Sequence, residues 1–170
     1  MLKRLQILKA SGLVWLWISV LVLIVDRYSK LWVMQHLGFH ETLPVLPFFN
    51  LTLAYNTGAA FSFLDSASGW QGWFLGGLAL MVCLIVLVWL STLSSRDSWI
   101  NIALCLILGG AFGNVCDRML YGHVIDLLSF HWGDWYFAIF NIADGAICLG
   151  AFIMGCHWLI QGRREKHDYL

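Results

Sequence analysis

WQGWFLGGLALMVCLIVLVWL, residues 70–90, contains no charged side chain. At 1.5 Å per residue a helix of this length reaches about 30 Å, the thickness of a bilayer's hydrocarbon core. The segment therefore reads as a membrane span, and it sets the frame for its neighbours. Ser94-Ser95-Arg96-Asp97 follows as a tight polar turn, and the chain returns to apolar character over 99–116. Two further runs, 13–34 and 137–160, complete a set of four. The first of these is apolar as far as Val25 and then polar on one face.

Composition agrees. The chain has 170 residues, 60% of them hydrophobic and only 12% charged, with a mean hydropathy of +0.75. An ordinary soluble domain is about 25% charged. Net charge is zero, and no basic block offers a footprint for nucleic acid. Lys3, Arg4 and Lys9 before an apolar run resemble a signal peptide. However, Asp26-Arg27-Tyr28-Ser29-Lys30 follows where a small-residue cleavage site belongs, so the run reads as an uncleaved first span. Cys83, Cys105, Cys116, Cys148 and Cys156 lie in or beside apolar runs without a C-x-x-C pair, and read as small packing residues.

Lys3, Arg4, Lys9, Arg96, Arg163, Arg164 and Lys166 flank one side of the spans, whereas 35–69 has neither Lys nor Arg. The positive-inside rule places both termini and the 94–97 turn in the cytoplasm, with the connections 35–69 and 117–136 external. Within the first connection Phe48–Asn56 alternates in part, with Leu51, Leu53 and Tyr55 on one face, the period of a half-buried strand. Thr57-Gly58-Ala59-Ala60 then makes a permissive turn. A small sheet on the outer membrane surface is expected, within a single domain over 1–170. The fold class is an integral membrane protein, mainly α.

Asp126 and Asp144 stand out against this background. A carboxylate in hydrocarbon costs about 2.5–3.5 kcal/mol on insertion scales, so an acid there is a candidate functional residue. With the fourth helix starting near Tyr136, Asp144 falls about 12 Å into the outer leaflet. Two close acids in a low dielectric divide protonation between them, one ionised to activate water and one protonated to donate to the leaving group. Either acid read alone is also consistent with a buried structural role. Asp26 and Lys30 share a helix face at i,i+4, as an ion pair anchoring the helix end or as part of the site. Arg27 points elsewhere, toward the interface. Asn114 and Arg118 share a face of the third span, after Gly109, Gly110 and Gly113, which let a neighbour approach closely. Asp117 pairs with the adjacent Arg118, and Asn141 lies three residues before Asp144. The six histidines lack zinc-ligand spacing, and neither H-E-x-x-H nor G-x-S-x-G occurs. His123, near Asp126, reads as an interfacial polar residue rather than a base. A small proton-coupled transporter is the alternative class, although such proteins place acids near the midplane. A purely structural membrane partner is a third reading.

Taken in order, Asp26-Arg27-Tyr28-Ser29-Lys30, Tyr55-Asn56-Thr57-Gly58-Ala59-Ala60-Phe61, Gly113-Asn114-Val115-Cys116-Asp117-Arg118, Val124-Ile125-Asp126 and Phe140-Asn141-Ile142-Ala143-Asp144 resemble the signature blocks of bacterial lipoprotein signal peptidase, or signal peptidase II. The resemblance implies four transmembrane helices with a small external β-cradle and an external helix. It implies an inner-membrane aspartyl endopeptidase that cuts prolipoproteins just before a diacylglyceryl-modified cysteine. On that resemblance Asp126 and Asp144 are the catalytic pair, and Asn56, Gly58, Asn114, Arg118 and Asn141 contact substrate. Asp26 and Lys30 support the site. No metal or cofactor is implied. The implied partners are the lipid-modified precursor, membrane lipids and globomycin-type inhibitors, and nothing in the sequence demands more than a monomer.

Overall fold

The computed structural model describes residues 11–58 and 70–168. Lys3, Arg4, Lys9 and the Ala59–Phe61 end of one signature block lie outside them. A short 3-10 turn, Gly12–Trp15, leads into α1, Leu16–His36. Strands β1, Thr42–Leu46, and β2, Phe49–Asn56, come next. Helices α2, Trp70–Thr92, and α3, Ser98–Tyr121, are followed by β3, Val124–Trp132, and the two-residue β4, Trp135–Tyr136. Helix α4, Ile142–Asp168, completes the described chain. Among the described residues four helices are long and apolar enough to cross a membrane. The external helix that the resemblance implies is not found among them.

Helix α3 is the centre of the bundle. Its membrane-crossing window is 67% buried, against 17–22% for the other three. Small residues make this possible, because without them the backbones could not approach. An added Cβ on Gly109 would lie 2.8 Å from the Ser19 carbonyl of α1, and one on Gly150 would meet the Ala103 carbonyl of α3. Cys83, Val86 and Leu90 of α2 pack against Ile100, Leu104, Cys105 and Leu108 of α3. The outer faces remain apolar and uncovered, as at Val20, Leu21, Ile24, Phe152 and Leu159, which suits contact with lipid.

The sheet is antiparallel in the order β1-β2-β3-β4. It packs on the end of α1, where Val33 and Leu37 meet Leu53, Ile125 and Leu127. The expected strand is present as β2, but its burial differs from a simple alternation. Asn50, Thr52 and Asn56 are buried while Tyr55 is exposed. The register explains this. Leu51 opposes Leu128 and Ala54 opposes Asp126, so β2 holds one residue more than β3 over that interval. Such a bulge reverses which face the following side chains use.

Two helix ends depart from the apolar boundaries. Helix α3 continues past Cys116 to Tyr121, because the polar residues in that stretch find partners inside the protein. It stops where Gly122 adopts φ +79 and its N–H bonds the Arg118 carbonyl at 3.0 Å. Helix α4 starts at Ile142 rather than near 137, because Phe140 is tied to β3. The Phe140 N–H donates to the Leu128 carbonyl at 3.1 Å, and its carbonyl accepts from Leu127 and Leu128 at 2.9 and 2.8 Å. Asp144 consequently lies in the first turn of α4 rather than two turns in.

Candidate active site

The sheet and the sheet-side ends of α1, α3 and α4 enclose a buried polar cluster. At its centre are Asp126, 3% exposed, and the half-buried Asp144. Three asparagines surround them, and each amide has a fixed orientation. Asn141 accepts the Asp144 backbone N–H on Oδ1 at 2.8 Å, which makes it the N-cap of α4. Its Nδ2 must then face Asp126 Oδ1, at 2.7 Å. Asn56 accepts the Gly58 N–H on Oδ1 at 3.0 Å, so its Nδ2 donates to Asp126 Oδ2 at 3.1 Å. Asn114 accepts the Lys30 ammonium on Oδ1 at 3.3 Å, and its Nδ2 donates to Asp144 Oδ1 at 2.8 Å. A donor on each amide oxygen thus turns each NH2 toward a carboxyl group. Asn141 touches both acids at once, and its Nδ2 also lies 3.3 Å from Asn114 Oδ1.

The electrostatics of Asp126 follow from this setting. Burial is the main cause that pushes its carboxyl up to about 7, and the nearby charge of Asp144 adds to the effect. Hydrogen bonds from Asn56 and Asn141 and the charge of Lys30 oppose it. Among the described residues no donor reaches Asp144 Oδ2, which leaves that oxygen for solvent or substrate. His123 is pushed down, chiefly by burial, and its ring lies tilted against Tyr55, centroids 4.3 Å apart.

Below the acids lies an ion network. Lys30 is fully buried and reaches Asp26 Oδ2 at 2.8 Å and Asp117 Oδ2 at 2.7 Å. The expected Asp26–Lys30 pair therefore forms. Arg27 does not run out to the interface. Its guanidinium binds Asp117 Oδ1 at 2.8 Å, bonds the Tyr121 hydroxyl, and lies 5.0 Å from that ring's centre. Nor does Asp117 pair with Arg118, because neighbours in sequence point to different sides of a helix. Arg118 donates instead to the Gly58 carbonyl at 2.8 Å, and its buried Nε has no acceptor among the described residues. It borders a cavity of about 290 Å³ lined by Gly72, Trp73, Gly76, Leu80 and Met119. The structural part taken by Asp117 and Arg27 was missed in the sequence. The usable signal was that Asp117 lies three residues after Asn114 and so shares its face. No group of His, Cys, Asp and Glu able to hold a metal ion occurs among the described residues.

Residues 18–160 match the family described as signal peptidase (SPase) II. The chain belongs to the signal peptidase II family. It is similar to the lipoprotein signal peptidase of Yersinia enterocolitica, 50% identical over 145 residues that cover 85% of this chain and 86% of the relative. Its similarity to the lipoprotein signal peptidase of Pseudoalteromonas atlantica is 47% over 150 residues, or 88% and 92% of the two chains. Two solved bacterial membrane enzymes, determined by the in meso method at 2.3 and 1.9 Å, share the fold at 26% identity. Their TM-scores are 0.79 and 0.76, covering 88% and 86% of this chain and 89% and 92% of theirs. This member of the signal peptidase II family is thus a bacterial membrane protein and a peptidase.

Proposed function

We propose that the chain removes the signal peptide from prolipoproteins as an aspartic endopeptidase, cutting just before a diacylglyceryl-modified cysteine, with Asp126 and Asp144 as the catalytic pair. The observation that supports this best is the convergence of three oriented asparagine amides on two acids in a chain of this family. Asp126, more buried and pushed up to about 7, holds the shared proton at rest. Asp144 is the ionised partner, since the first turn of a helix favours negative charge.

In the reaction, Asp144 takes a proton from water, and the water oxygen bonds to the scissile carbonyl carbon. Asp126 gives its proton to the carbonyl oxygen, so both protons are accounted for in a neutral tetrahedral intermediate. Asp144 then passes its proton to the amide nitrogen as the C–N bond breaks, and Asp126 recovers a proton from the collapsing diol. Arg118, Gly58 and the asparagines line the path of the peptide, and the Nε of Arg118, which has no acceptor among the described residues, suits a substrate carbonyl. The diacylglyceryl chains enter an apolar groove between helices, which fixes the scissile bond at the outer boundary and leaves peptide sequence loosely read. The whole chain acts as one membrane domain, a monomer in the inner membrane with both termini cytoplasmic. Globomycin-type compounds compete at the same site.

The test is processing of a lipidated preprolipoprotein by purified Asp126→Asn and Asp144→Asn variants in detergent. Both should lose cleavage while keeping a wild-type melting temperature. Normal processing by either one refutes the assignment, and equal cleavage of unlipidated precursor refutes lipid-based recognition.

A further inference from the structure

Each acid of the proposed pair is preceded by a residue whose backbone N–H is held by another acid. Asp26 of α1 accepts the Ala143 N–H on Oδ1 at 2.9 Å, immediately before Asp144. Asp117 of α3 accepts the Ile125 N–H on Oδ2 at 3.2 Å, immediately before Asp126. One ammonium group, Lys30 Nζ, holds both of these acids, and its third contact is Asn114 Oδ1, at 3.3 Å. We propose that Lys30 is a positioning residue that fixes both catalytic aspartates through two carboxylate pins, Asp26 to Ala143 and Asp117 to Ile125, and a third link through Asn114. This rests on the peptidase reading above, since it presumes that Asp126 and Asp144 act together.

Lys30 meets both acids as ion pairs and donates a hydrogen bond to Asn114 Oδ1, so one cation ties all three groups together. The site depends on this. The Ala143 N–H is one of the orphan donors at the start of α4, with no partner in its own helix. The Ile125 N–H belongs to a strand residue whose side chain is fully buried. Gly113 leaves room for the first pin, because a Cβ there would lie 2.8 Å from Asp26 Oδ2. Charge is balanced in the cluster, since Arg27 offsets the second acid at Asp117. A buried ion network of this kind is poor evidence for stability, because well-packed apolar replacements are often as stable; what these carboxylates do is hold the Ala143 and Ile125 amides. The groups facing the pair are Lys30 and Asp26 from α1, Asn114, Asp117 and Arg118 from α3, Asn56 from β2, and Asn141 at the start of α4.

The experiment combines amide hydrogen exchange with kinetics on Lys30→Met in detergent. Exchange at Ile125–Asp126 and at Ala143–Asp144 should speed up together, while the amides of the 94–97 turn stay unchanged. The kcat should fall about 100-fold at nearly constant KM, the scale expected when a catalytic group is misplaced by about 1 Å. The alkaline limb of the pH profile should also move upward, because loss of a buried cation favours protonated carboxyls. A merely structural lysine would lower the active fraction without moving that limb. Unchanged exchange at either segment, or a wild-type kcat and pH profile, overturns the proposal. Should Lys30→Met fail to fold, the single pins are separable. Asp26→Ala should loosen only the Ala143 segment and Asp117→Ala only the Ile125 segment, and loosening of both segments or neither by each variant overturns it. Active Asp126→Asn or Asp144→Asn would instead remove the peptidase reading, whatever Lys30 does.

Discussion

Asn141→Ala removes the one side chain that touches both acids. Its Nδ2 bond to Asp126 Oδ1, at 2.7 Å, is of the kind made to a charged or chargeable group, about 1.5–3 kcal/mol. Its Oδ1 cap on the Asp144 N–H, at 2.8 Å, is worth about 1 kcal/mol. The 3.3 Å contact with Asn114 Oδ1 adds little, because Lys30 still holds that oxygen. The loss is thus about 3 kcal/mol. If it is expressed in the transition state, at 1.36 kcal/mol per decade, kcat/KM falls about 100-fold. The assay is steady-state cleavage of a lipidated precursor in micelles, with kcat and KM separated and the folded fraction measured by thermal melting. Asn141→Asp should be worse than Asn141→Ala, because it sets a third carboxyl against Asp126 where an NH2 had been. A loss under fivefold in folded Asn141→Ala, or an Asp variant better than the Ala variant, refutes the argument for a fixed donor.

Three further outcomes follow from the geometry. The Asp126 carboxyl is raised to about 7 from 3.8. Its contribution to stability is therefore complete below about pH 4 and disappears as pH rises through 7, and kcat/KM should decline above about pH 7 as the donor proton is lost. A rate that keeps rising to pH 9 would contradict this. Gly113→Ala should sharply reduce activity by displacing Asp26, whereas Gly155→Ala, with open space around the new Cβ, should be neutral or slightly stabilising. Equal melting temperatures for the two would contradict the close approach at Gly113. Ser19→Ala removes the bond from Ser19 Oγ to the Cys105 carbonyl, at 2.8 Å. It should cost about 0.6 kcal/mol, the average for such bonds in membranes, without changing kcat.

Much of this architecture was legible in the sequence because lipid imposes a strong pattern. The four apolar runs gave the spans, and acids within or beside them drew attention to Asp26, Asp126 and Asp144. The missed features share a cause. Apolarity reports contact with lipid, not where backbone hydrogen bonds go, so the apolar stretch 137–140 read as helix although it is tied to β3. The polar end of α3 read as loop for the converse reason. Strand β3 escaped notice because Val124–Leu127 is buried on both faces and shows no alternation. Asp117 was assigned to its sequence neighbour, but its partners, Lys30 and Arg27, come from another helix. The amide orientations of Asn56, Asn114 and Asn141 depend on donors brought together by the fold, which no local pattern reveals.

The extra residue in β2 has a consequence for how chains of this kind can change length. Between Leu51 and Ala54 the strand is one residue out of step with its partner, and this offset points Asn56 at Asp126. Deleting or duplicating a single residue there would turn every later side chain to the opposite face. Insertions should therefore be tolerated in the hairpin between Leu46 and Phe49 and rejected within Leu51–Asn56. A library of one-residue insertions scanned across 42–58 would show that boundary as an abrupt loss of activity.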